Sequence, residues 1–416
     1  MTNRRIEKAV ANALLAGRLQ EALGNKWRWL RTLAQRFEAA FGDARPRQLH
    51  VAAFLREDRG FQRAVEKYKN EITIRFSPAR MHPVLAANAW GLPAIESVGE
   101  LADWLCLAPS ELDWLADLRG MNTEGRVENY HYRAESKRSG GVRLIEAPKL
   151  RLKAAQQRIL ADILDKIPPH PSAHGFVAGR SIQSFAAPHV GKPVVLKLDL
   201  ENFFPSVAAL RIHALFRTLG YPESVADLLA GLCTNAVPKA TCRILRANAE
   251  LYHRSHLPQG APTSPALANV YAYRADCRLS GLAESAGLDY TRYADDLAFS
   301  GARISAAFRA HVCAILLEEG LLVNHRKTRI MRQGVRQRLA GLVTNQCLNV
   351  AREDFDLLKA TLTNCARLGP QSQNRAGHPH FRSHLAGRVA FVASVNPIKG
   401  LKLREIFNRI DWSHST

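Results

Sequence analysis

The segment LDYTRYADDLAFSG (288–301) limits the fold of this chain more than any other. Apolar residues alternate with others on both sides of Asp295 and Asp296, which predicts a β-hairpin with two adjacent carboxylates at its turn. Far upstream, PVVLKLDL (193–200) reads as a continuous apolar strand carrying Asp199 near its end. Carboxylates on apolar strands are costly to bury unless they are paired or bound to metal. Three of them converging would repel one another, and Mg²⁺ relieves that repulsion while leaving room for water and phosphate ligands. Two such ions about 3.5–4 Å apart suit phosphoryl transfer. The competing reading is a solvated Asp-Asp turn and an unrelated acid at a strand end.

Charge sharpens the choice. The formal net charge is +21. Lys and Arg exceed Asp and Glu by nine over residues 1–85, by one over 86–323 and by eleven over 324–416. Two basic ends around a near-neutral middle point to a polyanionic partner, nucleic acid first, more than to a generic soluble surface. The 7 cysteines include no CxxC pair, which argues against a zinc finger or a disulfide framework and fits a reducing cytoplasm. No stretch has the apolar length to span a bilayer, so no membrane partner is expected, and the amphipathic N-terminus does not read as a signal peptide.

Along the chain, residues 1–40 show helical periodicity with Arg and Lys between the apolar positions. Pro78, Pro83, Gly91 and Pro93 mark an irregular entry. Residues 97–120 read as two short helices with Ser97 and Ser110 as N-caps, Asp113 completing a capping box, and Trp104 and Trp114 in the core. Residues 130–148 read as two strands joined by a basic, Gly-containing turn. Helices are expected at 150–167, 206–219, 222–232, 263–286, 303–319, 352–368, 380–395 and 399–411.

The order of these motifs resembles bacterial reverse transcriptases, most closely the retron and group II intron branch. Tyr293-Ala294-Asp295-Asp296 matches the family's YADD box, and LKLDLENFFPSV (196–207) resembles its first palm motif. LPQGAPTSPALAN (257–269), GLLVNHRKTRIM (320–331), KRSGGVRLIEAP (137–148), AHGFVAGRSIQSF (173–185), GLVTN (341–345) and FVASVNPIKGLKL (391–403) resemble further motifs, so the likeness covers roughly residues 97–412. Two departures stand out. Phe185 replaces the Asn of the N-A-x-x-H motif that ends at His189, and Leu339-Ala340-Gly341 stands where V-T-G is usual.

The resemblance implies an α+β, right-hand polymerase fold (fingers, palm and thumb) with an antiparallel palm sheet, a helical N-terminal extension and a helical thumb. The expected spans are 1–96 for the basic extension, 97–192 for the fingers with their leading helices, 193–335 for the palm, and 336–416 for the primer grip and thumb. It implies an RNA-directed DNA polymerase with Asp199, Asp295 and Asp296 holding two Mg²⁺ ions, Mn²⁺ being a possible substitute. Lys137, Arg143, Phe204, Gln259, Gly260 and Lys327 would meet the incoming nucleotide. The bulky Phe204 would block a ribose 2′-hydroxyl, Gly260 would allow close backbone approach, and Lys327 would face the phosphates. Arg180, His189, Lys399 and Lys402 are candidate nucleic-acid contacts, with a structural ion pair the alternative for Arg180. Expected partners are dNTPs, an RNA template (a dedicated structured non-coding RNA in the retron branch), a DNA product and an effector protein in anti-phage defence. The expected location is cytoplasmic. No HNH-type Cys/His cluster and no second acidic cluster of an RNase H domain is found, so mobility as a complete intron is not expected from this chain alone. Two other readings are an RNA-binding polymerase-fold scaffold and an RNA-dependent RNA polymerase. Phe204 and the Ala of YADD count against the latter.

Overall fold

A computed structural model describes residues 3–15, 19–23, 27–42, 46, 48–74, 80–120, 129–136, 142–243 and 248–413. Helices α1 (Asn3–Leu15), α2 (Leu19–Leu23), α3 (Arg28–Phe41), α4 (Gln48–Glu57) and α5 (Arg59–Tyr68) open the chain. After a 3-10 turn at Leu85–Trp90 come α6 (Val98–Leu105) and α7 (Pro109–Ala116), then strands β1 (Tyr130–Ser136) and β2 (Val142–Pro148). Next are α8 (Leu150–Asp162), α9 (Ile182–Ala186), β3 (Val194–Asp199), α10 (Ala209–Thr218), α11 (Glu223–Cys233), α12 (Lys239–Cys242), α13 (Ala249–His253) and α14 (Ser264–Ser285). The chain continues through β4 (Asp289–Tyr293), β5 (Asp296–Gly301), α15 (Ala306–Glu318), β6 (Arg329–Arg332), β7 (Arg338–Leu339), β8 (Leu342–Val343) and β9 (Asn349–Val350). It ends with α16 (Arg352–Leu368), α17 (Phe381–Val395) and α18 (Pro397–Asn408).

Two compact units emerge, Met1–Pro168 with Asn202–Tyr271, and Pro169–Glu201 with Ala272–Thr416. The first contains the N-terminal helices, which share a core of Ile6, Val10, Leu14, Leu30, Leu33, Val51, Leu55 and Phe61. Arg36 grips Asp58 at 2.6 and 2.9 Å, and Asp58 also accepts the Phe61 amide to cap α5. The 1–40 helical expectation thus becomes three helices, and α4 and α5 continue the helical extension past the span whose periodicity was read. Ser97 caps α6 as expected, accepting from the Glu100 amide. Ser110 does not cap α7: Pro109 starts that helix, so Ala108 takes the cap position. Trp114 is 43% exposed rather than core, because α7 buries Leu112, Leu115 and Ala116. The β1–β2 hairpin pairs Tyr130 with Pro148 through to Ser136 with Val142.

The second unit is built on an antiparallel sheet in the order β4-β5-β3-β6. Val195, Leu196, Leu198, Leu297, Ala298 and Phe299 bury its centre. A three-stranded sheet, β7-β8-β9, follows. Its first turn uses Ala340 (φ 44°) and Gly341 (φ 88°), consecutive left-handed residues of the kind that close two-residue hairpins. This is where the sequence departs from V-T-G. Helices α16, α17 and α18 share a core of Leu358, Leu362, Leu385, Val389, Val392 and Leu403. All seven cysteines are free. No described helix is long and apolar enough to cross a membrane.

Candidate active site

The acids meet through strand register. On β3 and β5, Asp199 and Asp296 are direct cross-strand partners, and the Leu200 amide donates to the Asp295 carbonyl at 2.9 Å. Like charges placed opposite one another destabilise a sheet. Tyr293 pairs with Asp296, so Ala294 and Asp295 form the β4–β5 turn, with Ala294 in the left-handed region at φ 55°. Burial, then the Asp296 and Asp199 carboxylates, push the Asp295 carboxyl up to about 6. Burial also raises Asp296, opposed by Lys197.

Two ammonium groups answer this charge. Lys327 Nζ lies 3.0 Å and 3.1 Å from the Asp199 carboxylate oxygens. Lys197 Nζ lies 2.9 Å and 3.0 Å from those of Asp296. Lys327 had been singled out in the sequence and Lys197 had not. Its signal was available, since a residue two before Asp199 on a strand shares that residue's face. As placed, no group of three or more His, Cys, Asp or Glu among the described residues is gathered tightly enough to hold a metal ion. The donor chemistry nonetheless fits a hard divalent cation. Three carboxylates would supply oxygen ligands, and neighbouring acids oppose the ionisation of Asp295. The lysines mark where the site already accepts positive charge.

Beneath the turn lies a group that sequence reasoning missed. Arg292, on β4, donates from Nε and Nη2 to Asp276 of α14 at 2.8 and 2.7 Å, and both side chains are 1% exposed. Its Nη1 donates to the Ala294 carbonyl at 3.1 Å, and the Tyr290 hydroxyl donates to Asp276 at 2.7 Å. The sequence signal was an arginine in the strand that leads into the acid turn, since a charged residue buried there needs a partner. Gly175 approaches the turn from another side, where an added Cβ would sit 2.4 Å from the Ala294 amide nitrogen.

The remaining predicted residues divide clearly. Lys137 lies outside the described residues. In the first unit, Arg143 is exposed on β2. Phe204 is half-buried, its ring 5.6 Å from that of buried Phe203. The Gln259 carbonyl accepts the Glu146 amide at 2.8 Å. Gly260 (φ 129°) passes so close that an added Cβ would lie 2.9 Å from the Glu146 carbonyl oxygen. Glu146 itself is fully buried against His256 (3.0 Å) and Asn235 (2.7 Å), a pairing the sequence did not reveal. Glu146 and His256 thus tie the Gln259–Gly260 loop to β2.

Two expectations change. His189 is not available to nucleic acid: it is fully buried, with Nδ1 2.7 Å from Ser300 Oγ and Nε2 2.7 Å from Thr291 Oγ1. Thr291 gives its hydroxyl proton to the Phe185 carbonyl, so it accepts from Nε2–H, and Ser300 donates to Nδ1. The imidazole is neutral, and burial pulls it down to about 4. In place of the structural ion pair that was the alternative for Arg180, its Nη1 donates to the carbonyls of His170, Pro171 and Ala173 and braces their loop. Phe185, where Asn was usual, is buried with its ring 5.8 Å from that of Tyr293. Lys399 is half-buried with Nζ 4.8 Å from the Phe355 ring centroid, and Lys402 is exposed.

Comparison with known proteins bears on the family of the chain. The model of the family described as "Reverse transcriptase (RNA-dependent DNA polymerase)" matches residues 135–358. The chain is 46% identical over 284 residues to the retron Mx65 reverse transcriptase of Myxococcus xanthus, covering 67% of this chain and 64% of that protein. It is 37% identical over 336 residues to the retron Mx162 reverse transcriptase of the same organism, covering 76% and 67%. To the retron Ec86 reverse transcriptase of Escherichia coli it is 33% identical over 258 residues, covering 61% and 72%. The match to the Mx65 protein thus spans less than two thirds of that protein's length. The chain belongs to the reverse transcriptase (RNA-dependent DNA polymerase) family and is similar to its bacterial retron members.

Proposed function

We propose that this chain is an RNA-directed DNA polymerase of retron type. It extends a primer with dNTPs on an RNA template, a structured non-coding RNA in this reading. The observation that carries it is the register pairing of Asp199 with Asp296 beside Asp295, on a chain whose relatives are retron reverse transcriptases. The four-stranded sheet is read as the palm, the β1–β2 hairpin as fingers, and α16 to α18 as the thumb.

Asp199, Asp295 and Asp296 would hold two divalent ions, Mg²⁺ by preference. When bound, these supply the charge that activates the primer hydroxyl and neutralises the leaving pyrophosphate. The rest is the chain's own work. Lys327, whose side chain is 46% exposed, can turn from Asp199 toward the phosphates. Arg143 offers an exposed guanidinium to a triphosphate. Phe204 excludes the 2′-hydroxyl, and the Gln259–Gly260 backbone lies against sugar and base. Lys402 and the basic C-terminal helices contact the duplex backbone, which makes binding fall with salt. A cytoplasmic location, an effector partner and a role in anti-phage defence complete the reading.

The test is incorporation of dNTPs on a primed RNA template by the intact protein and by an Asp295→Ala/Asp296→Ala double variant. Wild-type incorporation and none in the variant are expected. Activity that persists in the variant refutes the assignment of the acids. Preference for NTPs would establish an RNA polymerase instead.

A further inference from the structure

We propose that the buried Arg292–Asp276 pair is a positioning device for the acid turn, holding Asp295 and Asp296 in place through the Ala294 carbonyl. The inference rests on the polymerase reading above and names residues to which that reading gives no part.

Ala294 carries φ 55°, a conformation that side-chain-bearing residues rarely adopt and that persists only where the surroundings enforce it. The enforcing contacts can be named. Arg292 Nη1 holds the Ala294 carbonyl from behind at 3.1 Å. The guanidinium cannot rotate away, because Nε and Nη2 form a two-point fork on Asp276. Asp276 is fixed in turn by the Tyr290 hydroxyl. The Arg292 backbone is pinned as well: its amide donates to the Ser172 carbonyl and its carbonyl accepts the His174 amide, both at 2.7 Å. The chain from helix α14 to the acids therefore runs Asp276, Arg292, Ala294 carbonyl, Asp295.

A buried ion pair contributes little net stability compared with apolar residues of similar volume. A pair with no role beyond packing would be free to be apolar. The third arm, which reaches the turn and not the partner acid, is what a packing role does not require. Lysine cannot replace this geometry, since one ammonium on a flexible stem cannot fork onto Asp276 and reach the Ala294 carbonyl together.

The experiment compares three variants with the intact protein: Arg292→Lys, Asp276→Asn and, as a control in another core, Leu55→Ala. Each is assayed for kcat and KM in dNTP incorporation, for Mn²⁺ binding by paramagnetic resonance without substrate, and for its thermal midpoint. Arg292→Lys should lower kcat roughly 100-fold, as a displacement of about 1 Å does, with little change in the KM for dNTP. Its Mn²⁺ affinity should weaken on the order of tenfold, as when groups supporting metal ligands are removed. Leu55→Ala opens a cavity in the core of α1 to α5, which has no part in the turn, so it should lower the thermal midpoint and leave kcat and Mn²⁺ affinity unchanged. If Arg292→Lys does not fold, the shape-preserving Asp276→Asn takes its place with the same expectations. A folded Arg292→Lys or Asp276→Asn protein with wild-type kcat and Mn²⁺ affinity overturns the inference. So does Leu55→Ala losing kcat in proportion to its stability. An intact protein that incorporates nothing on any primed template refutes the polymerase reading itself.

Discussion

Gly175→Ala tests the acid turn with a single methyl group. The added Cβ would lie 2.4 Å from the Ala294 amide nitrogen, 3.1 Å from the Tyr293 carbonyl carbon and 3.3 Å from the Ala294 Cα, all backbone atoms. Ordinary contact begins near 3.4 Å, so something must move by about 1 Å. The loop bearing Gly175 cannot retreat easily, because Ser172 and His174 are bonded to the Arg292 backbone and Ala173 bridges to it. The displacement therefore falls on the turn. A shift of about 1 Å in a reacting group lowers rates roughly 100-fold. The same overpacking lowers stability by about 1–3 kcal/mol. Single-nucleotide incorporation under saturating dNTP gives the rate, and a thermal melt gives the stability. Gly387→Ala is the control: it lies within α17 with nothing within 4 Å of its added Cβ. There kcat should stay unchanged and stability should rise by about 0.5–1 kcal/mol. A folded Gly175→Ala protein with kcat within about twofold of wild type would show that the turn tolerates movement, and the argument from backbone crowding would fail.

Two further outcomes are expected. His189 is neutral in the fold, so between pH 6.5 and about 4 the unfolded chain binds a proton here that the native chain does not. Stability should fall as pH drops through that window, by up to about 3 kcal/mol from this group. Urea midpoints should show a pH slope that His189→Gln flattens, and an unchanged slope would remove the neutral-strut assignment. Phe204→Ala should raise the kcat/KM of NTPs relative to dNTPs by about tenfold or more. An unaltered ratio would take Phe204 out of sugar selection.

The sequence exposed the parts of the site that depend on local pattern. Alternation around Asp295-Asp296 gave the hairpin, and the apolar run before Asp199 gave its neighbouring strand. Most helix positions followed from periodicity, and the 352–368 bounds were reproduced. Pairing across sequence distance was hidden. Nothing local says that Arg292 would find Asp276, or that Glu146 would find His256 110 residues away. His189 misled for a related reason: a polar residue in a motif reads as a ligand contact until its own partners are known, and its two ring nitrogens are spent inside the protein. The strands at 338–350 are two residues each, too short for any period to register.

The raised Asp295 carboxyl also bears on how this protein can be engineered. A folded value of about 6 against 3.8 means that at neutral pH the ionised acid works against the fold by about 3 kcal/mol. Selection of variants for heat resistance alone would reward Asn at this position and discard the chemistry along with the strain. Thermostable forms of this protein have to be sought under selection for turnover, because this destabilising carboxylate is also one that the proposed chemistry uses.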